Sequence, residues 1–151
     1  MPSNIFLIKA DFKLSAGKYN TKEKTMNYSE VEEIFCLTEN KKYKYFFNKL
    51  VESEHVCGLK DKNGWITAKD NEGRITMPLW PSYEFAKYCQ ENQWKETQIE
   101  TIDLYEFLEY WLEGMKRDGC RILVFADTGG GGISVDALDL KNELQDFLSK
   151  Y

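Results

Sequence analysis

The chain has 151 residues, 42% of them hydrophobic, 15% aromatic and 30% charged. That composition suits one globular domain, and no apolar run approaches the roughly 18 residues of a membrane span. Lys and Arg number 20 against 25 Asp and Glu, a net charge of −5 that argues against nucleic acid or an anionic membrane surface as partner. One histidine removes histidine-clustered metal sites and two-histidine catalysis, so no metal and no cofactor is expected. Met1-Pro2-Ser3-Asn4 lacks a basic stretch and Ile5–Ile8 is too short for a secretory core, which predicts a cytoplasmic protein. Cys36, Cys57, Cys89 and Cys120 form no C-x-x-C pair and read as small buried hydrophobes in a reducing compartment.

Residues 5–14 alternate, with Phe6, Ile8, Ala10, Phe12 and Leu14 on one face, and predict a strand. The polar stretch after it, with Gly17, predicts a linker. Residues 1–25 are therefore expected as a strand-like arm and linker, ahead of a single domain over residues 26–151. The arm's apolar face calls for an edge strand within its own monomer, or for strand exchange in a homodimer. Ser29 with Glu32 predicts a capping-box start for a short helix running to about Leu37. Thr38 restarts a helix whose stripe is Tyr43, Phe46, Phe47 and Leu50, ending near Ser53.

A strand-rich block follows. Val56–Lys60, Trp65–Lys69 and Arg74–Trp80 are joined by the turns Asp61-Lys62-Asn63-Gly64 and Asp70-Asn71-Glu72-Gly73, which predicts a three-stranded antiparallel meander. Pro78 and Pro81 end its ladder, since neither donates a backbone hydrogen bond. Ser82 caps a short helix through Phe85, Ala86 and Cys89. Asp103 with Glu106 opens the most regular helix, carrying Leu104, Phe107, Leu108, Trp111, Leu112 and Met115, and Asp118-Gly119 stops it. Arg121–Phe125 predicts a strand, Asp127–Gly132 a loop, and Ile133–Val135 a short strand. Asp136 caps a last helix with the stripe Ala137, Leu140, Leu144, Phe147, Leu148 and Tyr151. The fold class is α+β: an antiparallel sheet built around the meander, with helices packed on it.

Four motifs carry a possible chemistry. Asp127-Thr128-Gly129 after a hydrophobic strand is the triplet of aspartic proteases, but too little chain follows for a flap and a second glycine loop; a hairpin loop is the better reading. Gly129-Gly130-Gly131-Gly132 could cradle an anion, yet no Lys-Ser/Thr follows and Asp127 would repel phosphate. Asp61, Asn63 and Glu72 match calcium-loop positions, while Trp65 and Ile66 stand where a ligand and a glycine belong. His55 and Cys57, two residues apart on a strand, are separated by about 7 Å of backbone, too far for a dyad, and no third orienting group is evident.

The aromatic excess is the sequence's distinctive feature. Trp65, Trp80, Tyr83, Trp94 and Trp111 are the candidate binding residues, as an exposed aromatic surface or the wall of a pocket; Trp111 itself lies on an apolar stripe. Tyr105 and Tyr110 add to the same excess.

The strand block and long helix together resemble a bacterial family, the domain of unknown function 2750. The likeness rests on Gly64-Trp65, Pro78-Leu79-Trp80-Pro81, Phe85-Ala86, Trp94, Phe107-Leu108, Trp111-Leu112, Asp118-Gly119, Val124-Phe125, Gly132 and Val135. It covers roughly Ser29 to the C-terminus. Two departures are the arm before Thr25 and Ala126, where the family often has Pro. The resemblance implies a small bacterial cytoplasmic α+β domain and brings no catalytic residues with it.

Turn-formers and large apolar anchors make a fold signature, whereas an active site adds convergent polar groups. The leading expectation is thus a non-enzymatic domain that binds another protein, of adaptor or immunity kind, as a monomer or homodimer. The alternative is a small-molecule pocket walled by Trp65, Trp80, Tyr83 and Trp111. A hydrolase using Asp127 or His55 comes last.

Overall fold

The computed structural model describes residues 26–128 and 131–150. The predicted arm and linker over residues 1–25 lie outside the described residues, and so does Tyr151 at the end of the last helix. Helix α1 (Tyr28–Phe35) begins two residues earlier than Ser29 predicts. Asn27 caps it, accepting from the Glu30 N–H at 2.9 Å while the Glu30 carboxylate accepts from the Asn27 N–H at 3.1 Å. Asn-x-x-Glu makes the same reciprocal box as Ser-x-x-Glu, and starting there satisfies an earlier pair of free N–H groups. Helix α2 (Glu39–Ser53) starts at the predicted Thr38, buries Phe46 and Leu50, and ends on Glu54 in the left-handed region.

Strand β1 (His55–Asp61) turns through Asn63 into β2 (Gly64–Trp65), and β3 (Ala68–Lys69) turns at Asp70 into β4 (Ile75–Leu79). Both predicted turns are present, and the middle segment of the meander divides between two sheets. After the Ile66 N–H donates to the Leu59 carbonyl at 2.8 Å, the chain crosses over. Helix α3 (Tyr83–Asn92) leads to β5 (Gln98–Asp103), which pairs antiparallel with β1 from His55↔Asp103 to Lys60↔Gln98. The first sheet therefore has the order β2-β1-β5. Nothing in the sequence reading marked β5. Its two isoleucines, Ile99 and Ile102, are three apart and break the alternation a half-buried strand shows.

The second sheet is built from β3, β4, β6 (Arg121–Val124) and β7 (Ile133–Val135) in that order, with β4 and β6 parallel. Pro78 lies inside β4. It does not end the ladder, because β3 pairs only with Ile75 and Thr76 and one side of β4 beyond them needs no donor. The sheets are clasped where Cys57 and Trp80 exchange backbone hydrogen bonds of 2.8 and 2.9 Å. Gly58 lies under that junction, and a Cβ there would come within 2.9 Å of the Trp65 ring and 3.1 Å of Leu79. The position admits only glycine without repacking.

The long helix α4, residues 104–117, runs as Leu104–Glu106, a π turn over Phe107–Trp111, and Leu112–Arg117. Its cap is the predicted Asp103, whose carboxylate accepts from the N–H groups of Tyr105 and Glu106. In the π turn the Leu112 N–H reaches back to the Phe107 carbonyl, one residue further than in an α-helix. The turn keeps Phe107, Leu108, Trp111, Leu112 and Met115 all inward. The last helix, α5 (Ala137–Leu148), starts at the predicted Asp136, which accepts from Leu138 and Asp139.

β6 ends one residue short of Phe125. Phe125 is fully buried and adopts φ 56°, a left-handed conformation that costs a non-glycine residue about 1–2 kcal/mol. Its ring is held by Phe85, Phe35, Tyr45 and Phe46 at centroid distances of 5.0, 5.6, 6.0 and 6.4 Å. The reversal points the next carbonyl, that of Ala126, inward. The Trp80 indole N–H donates to it at 2.8 Å and the Cys89 thiol at 3.2 Å.

Candidate functional site

The predicted aromatic residues divide into two edge-on pairs and an outlier. Trp65 meets Trp111 at 5.1 Å and 83°, and Trp80 meets Trp94 at 5.9 Å and 67°. Trp65, Trp80 and Trp111 are buried, so at these positions the expected aromatic surface is core. Their size explains this: the junction of two sheets and a long helix offers space that only indoles fill. Trp94 is half-buried against Trp80, and Tyr83 is half-buried as the first residue of α3. The tryptophans thus pack on each other in pairs. Among the described residues the large aromatics held out to solvent are Tyr28, Tyr105 and Tyr110.

The candidate reactive groups are spent on structure. Burial pushes the Cys89 thiol up to about 12, with the Asp127 carboxylate adding to it, and burial with Asp118 nearby does the same for Cys120. Burial also raises Cys57 far above the ordinary thiol range. Thiols held this high supply no thiolate at neutral pH. His55 turns its Nδ1 to the Ser53 carbonyl at 3.1 Å, not to Cys57. The Nε2 of His55 is buried and unpartnered among the described residues. Asp127 closes its own loop, with its backbone N–H donating to the Gly131 carbonyl at 3.1 Å and its carboxylate accepting from the Gly131 N–H at 2.7 Å. The Asp61 carboxylate likewise serves its turn, accepting from the Asn63 N–H at 2.8 Å. Among the described residues no group of three or more His, Cys, Asp or Glu side chains is placed to hold a metal ion.

The surface is concave along β7. One cleft of about 370 Å³ is lined by Glu39, Asn40 and Tyr43 of α2, Arg121, the β7 residues, and Asp136, Asp139 and Glu143. A second, of about 250 Å³, shares Glu39, Ile133 and Ser134 with it and continues to the Asp70–Arg74 turn. A polar relay spans the second sheet beneath them. The Arg121 Nε donates to the Ser134 hydroxyl at 2.8 Å, and that hydroxyl donates to Asp70 at 2.8 Å. Asp70 also accepts from the backbone of Glu72 and Arg74 and from the Arg74 guanidinium, each at 2.9 Å. Desolvation pushes the Asp70 carboxyl up, but these donors together hold it well below the usual carboxylate range. At the other end the Tyr43 hydroxyl donates to Glu143 at 2.5 Å and ties α2 to α5. Burial and that carboxylate push the Tyr43 phenol far above its ordinary value.

Neither cleft was foreseen. In the larger cleft Glu39 and Asp139 sit in the first turns of two helices and Asp136 caps one of them, where acidic residues also answer the helix dipole, so the sequence gives these three an ordinary reason to be there.

This fold and surface define a class: a small α+β domain of two clasped sheets, with a tryptophan-rich core and an acidic cleft along one strand edge. A family model described as "Protein of unknown function (DUF2750)" matches residues 43–144, and the chain belongs to that family. The match spans the meander, the Trp80 motif, the long helix and most of the cleft, while Glu39 and Asn40 lie just before it. No curated protein matches the chain.

Proposed function

We propose that this chain is a non-enzymatic accessory domain of the bacterial cytoplasm that works by binding another protein, in the manner of an adaptor or immunity protein. The observation that carries this reading is the pair of open clefts along β7, with the carboxylates of Glu39, Asp136, Asp139 and Glu143 on their walls. Such a surface suits a charged macromolecular partner better than a drug-sized ligand, whose pockets are mostly apolar. Two further facts support it. The cysteines at 57, 89 and 120 are buried with raised thiols, and Tyr28, Tyr105 and Tyr110 give the exterior the amphipathic side chains that interfaces favour. No helix among the described residues is long and apolar enough to cross a membrane.

A photo-crosslinking amino acid placed at Asn40, in the cleft but outside its carboxylate set, tests the reading in the native cell. The expected result is a discrete adduct with one second protein that disappears in the Glu39→Lys, Asp139→Lys double variant. No adduct, or adducts with many proteins that survive the charge reversal, would overturn it.

A further inference from the structure

β7 has an open side. Its backbone partner is β6, through Ile122↔Val135, Leu123↔Ser134 and Val124↔Ile133, and among the described residues no other backbone hydrogen bond reaches it. Edge strands are commonly guarded by a lysine, a proline or a bulge that blocks further pairing. Ile133-Ser134-Val135 carries neither a lysine nor a proline, and its pairing with β6 is regular. Arg121 also steadies the strand, bonding both the hydroxyl and, at 3.2 Å, the carbonyl of Ser134. A short edge fixed in this way is a preformed template for another extended backbone.

Charge decides what can approach it. Glu39, Asp136, Asp139 and Glu143 border the strand, and Arg121, the one cation lining the larger cleft, is committed to Ser134 and lies 3.9 Å from Asp70. Asp136 is partly neutralised by Lys116 at 2.6 Å, whereas Glu39 and Asp139 have no cationic partner among the described residues. A second copy of this chain, itself at −5, would bring two such carboxylate sets together. An acidic strand would be repelled for the same reason. A lysine- or arginine-bearing strand is complementary on both counts.

We propose that β7 accepts an extended, lysine- or arginine-bearing segment of the partner protein by strand addition. The inference rests on the protein-binding reading above and adds the recognition mode. Main-chain hydrogen bonds to β7 supply the affinity, and the carboxylates at 39, 136, 139 and 143 supply the preference for basic side chains.

The probe is a fluorescein-labelled six-residue peptide of alternating Lys and Val, added to the full chain and followed by anisotropy and by amide hydrogen exchange. Binding that weakens with salt, together with slowed exchange in residues 133–135, is the expected result. The same peptide N-methylated at alternate residues keeps its charge but loses donors, and should bind about tenfold more weakly or worse. A Glu–Val peptide should not bind. Equal affinity of the N-methylated peptide would overturn strand addition, as would absence of any Lys–Val binding. Spermine that displaces the peptide while exchange at β7 stays fast would identify a polyamine site and overturn it too. An Asn40 adduct in cells without peptide binding would sink this mode alone and leave the protein-binding reading standing.

Discussion

The junction beneath Trp80 and the rim around β7 satisfy polar groups by different means. At the junction, side-chain donors meet a backbone carbonyl: the indole of Trp80 and the thiol of Cys89, both fully buried, share the carbonyl of Ala126. At the rim, charge meets charge or hydroxyl: Arg74, Arg121, Ser134 and Asp70 form a chain that stays partly open to water. The first arrangement tolerates almost no change in shape, while the second tolerates changes of shape but not of sign. The family match covers the junction and most of the rim alike. At the rim, by contrast, Glu39 and Asp139 have no cationic partner among the described residues.

The sharpest way to break the junction is Trp80→Ala. It removes the largest fully buried side chain and leaves the Ala126 carbonyl only the weaker thiol donor of Cys89, and a loss of about 3–5 kcal/mol in urea unfolding is expected. Gly58→Ala should cost less, about 1–3 kcal/mol, since its Cβ must displace Trp65 and Leu79. Near-ultraviolet circular dichroism should report the displaced indole.

The rim is expected to respond to pH instead. Asp70 is held ionised in the folded state, so its contribution is present above the unfolded carboxylate value near about 3.9 and is lost as pH falls below it. Asp70→Asn should flatten the acid limb of the stability profile below about pH 4. At neutral pH it should lower the melting temperature by roughly 5 °C. The smallest effect belongs to Glu39→Gln with Asp139→Asn, expected to move the melting temperature by no more than about 2 °C. If that double variant unfolds the protein, the cleft carboxylates are structural and the contrast between the regions fails.

Local chemistry made much of this molecule legible in advance. Thr38, Asp103 and Asp136 cap the helices the sequence assigns them, and the Asn63-Gly64 and Glu72-Gly73 turns close where predicted. What escaped was non-local. β5 is a strand because β1 offers it a full ladder, not because Gln98–Asp103 alternates. The meander divides between sheets through long-range pairing with β6. The helical stripe points Trp111 to the core, whereas the burial of Trp65 and Trp80 has no such local signal, since the residues that cover them come from distant segments. The cleft was invisible for the same reason: residues near 39, 70, 121, 134 and 143 meet only after folding.

The clasp between Cys57 and Trp80 has a consequence for the order of assembly. Residues 55–80 contain both hairpins and the bonds that join them, all within one short stretch, so their loop-closure entropy is low. β5 and β6 arrive from much further along the chain and find their edges already laid out. This stretch should act as the folding nucleus, with Trp80 waiting to receive the carbonyl of Ala126. Truncating Leu59 or Leu79 should therefore slow folding, whereas truncating Ile122 or Leu140 should chiefly speed unfolding, a division that stopped-flow kinetics reads directly.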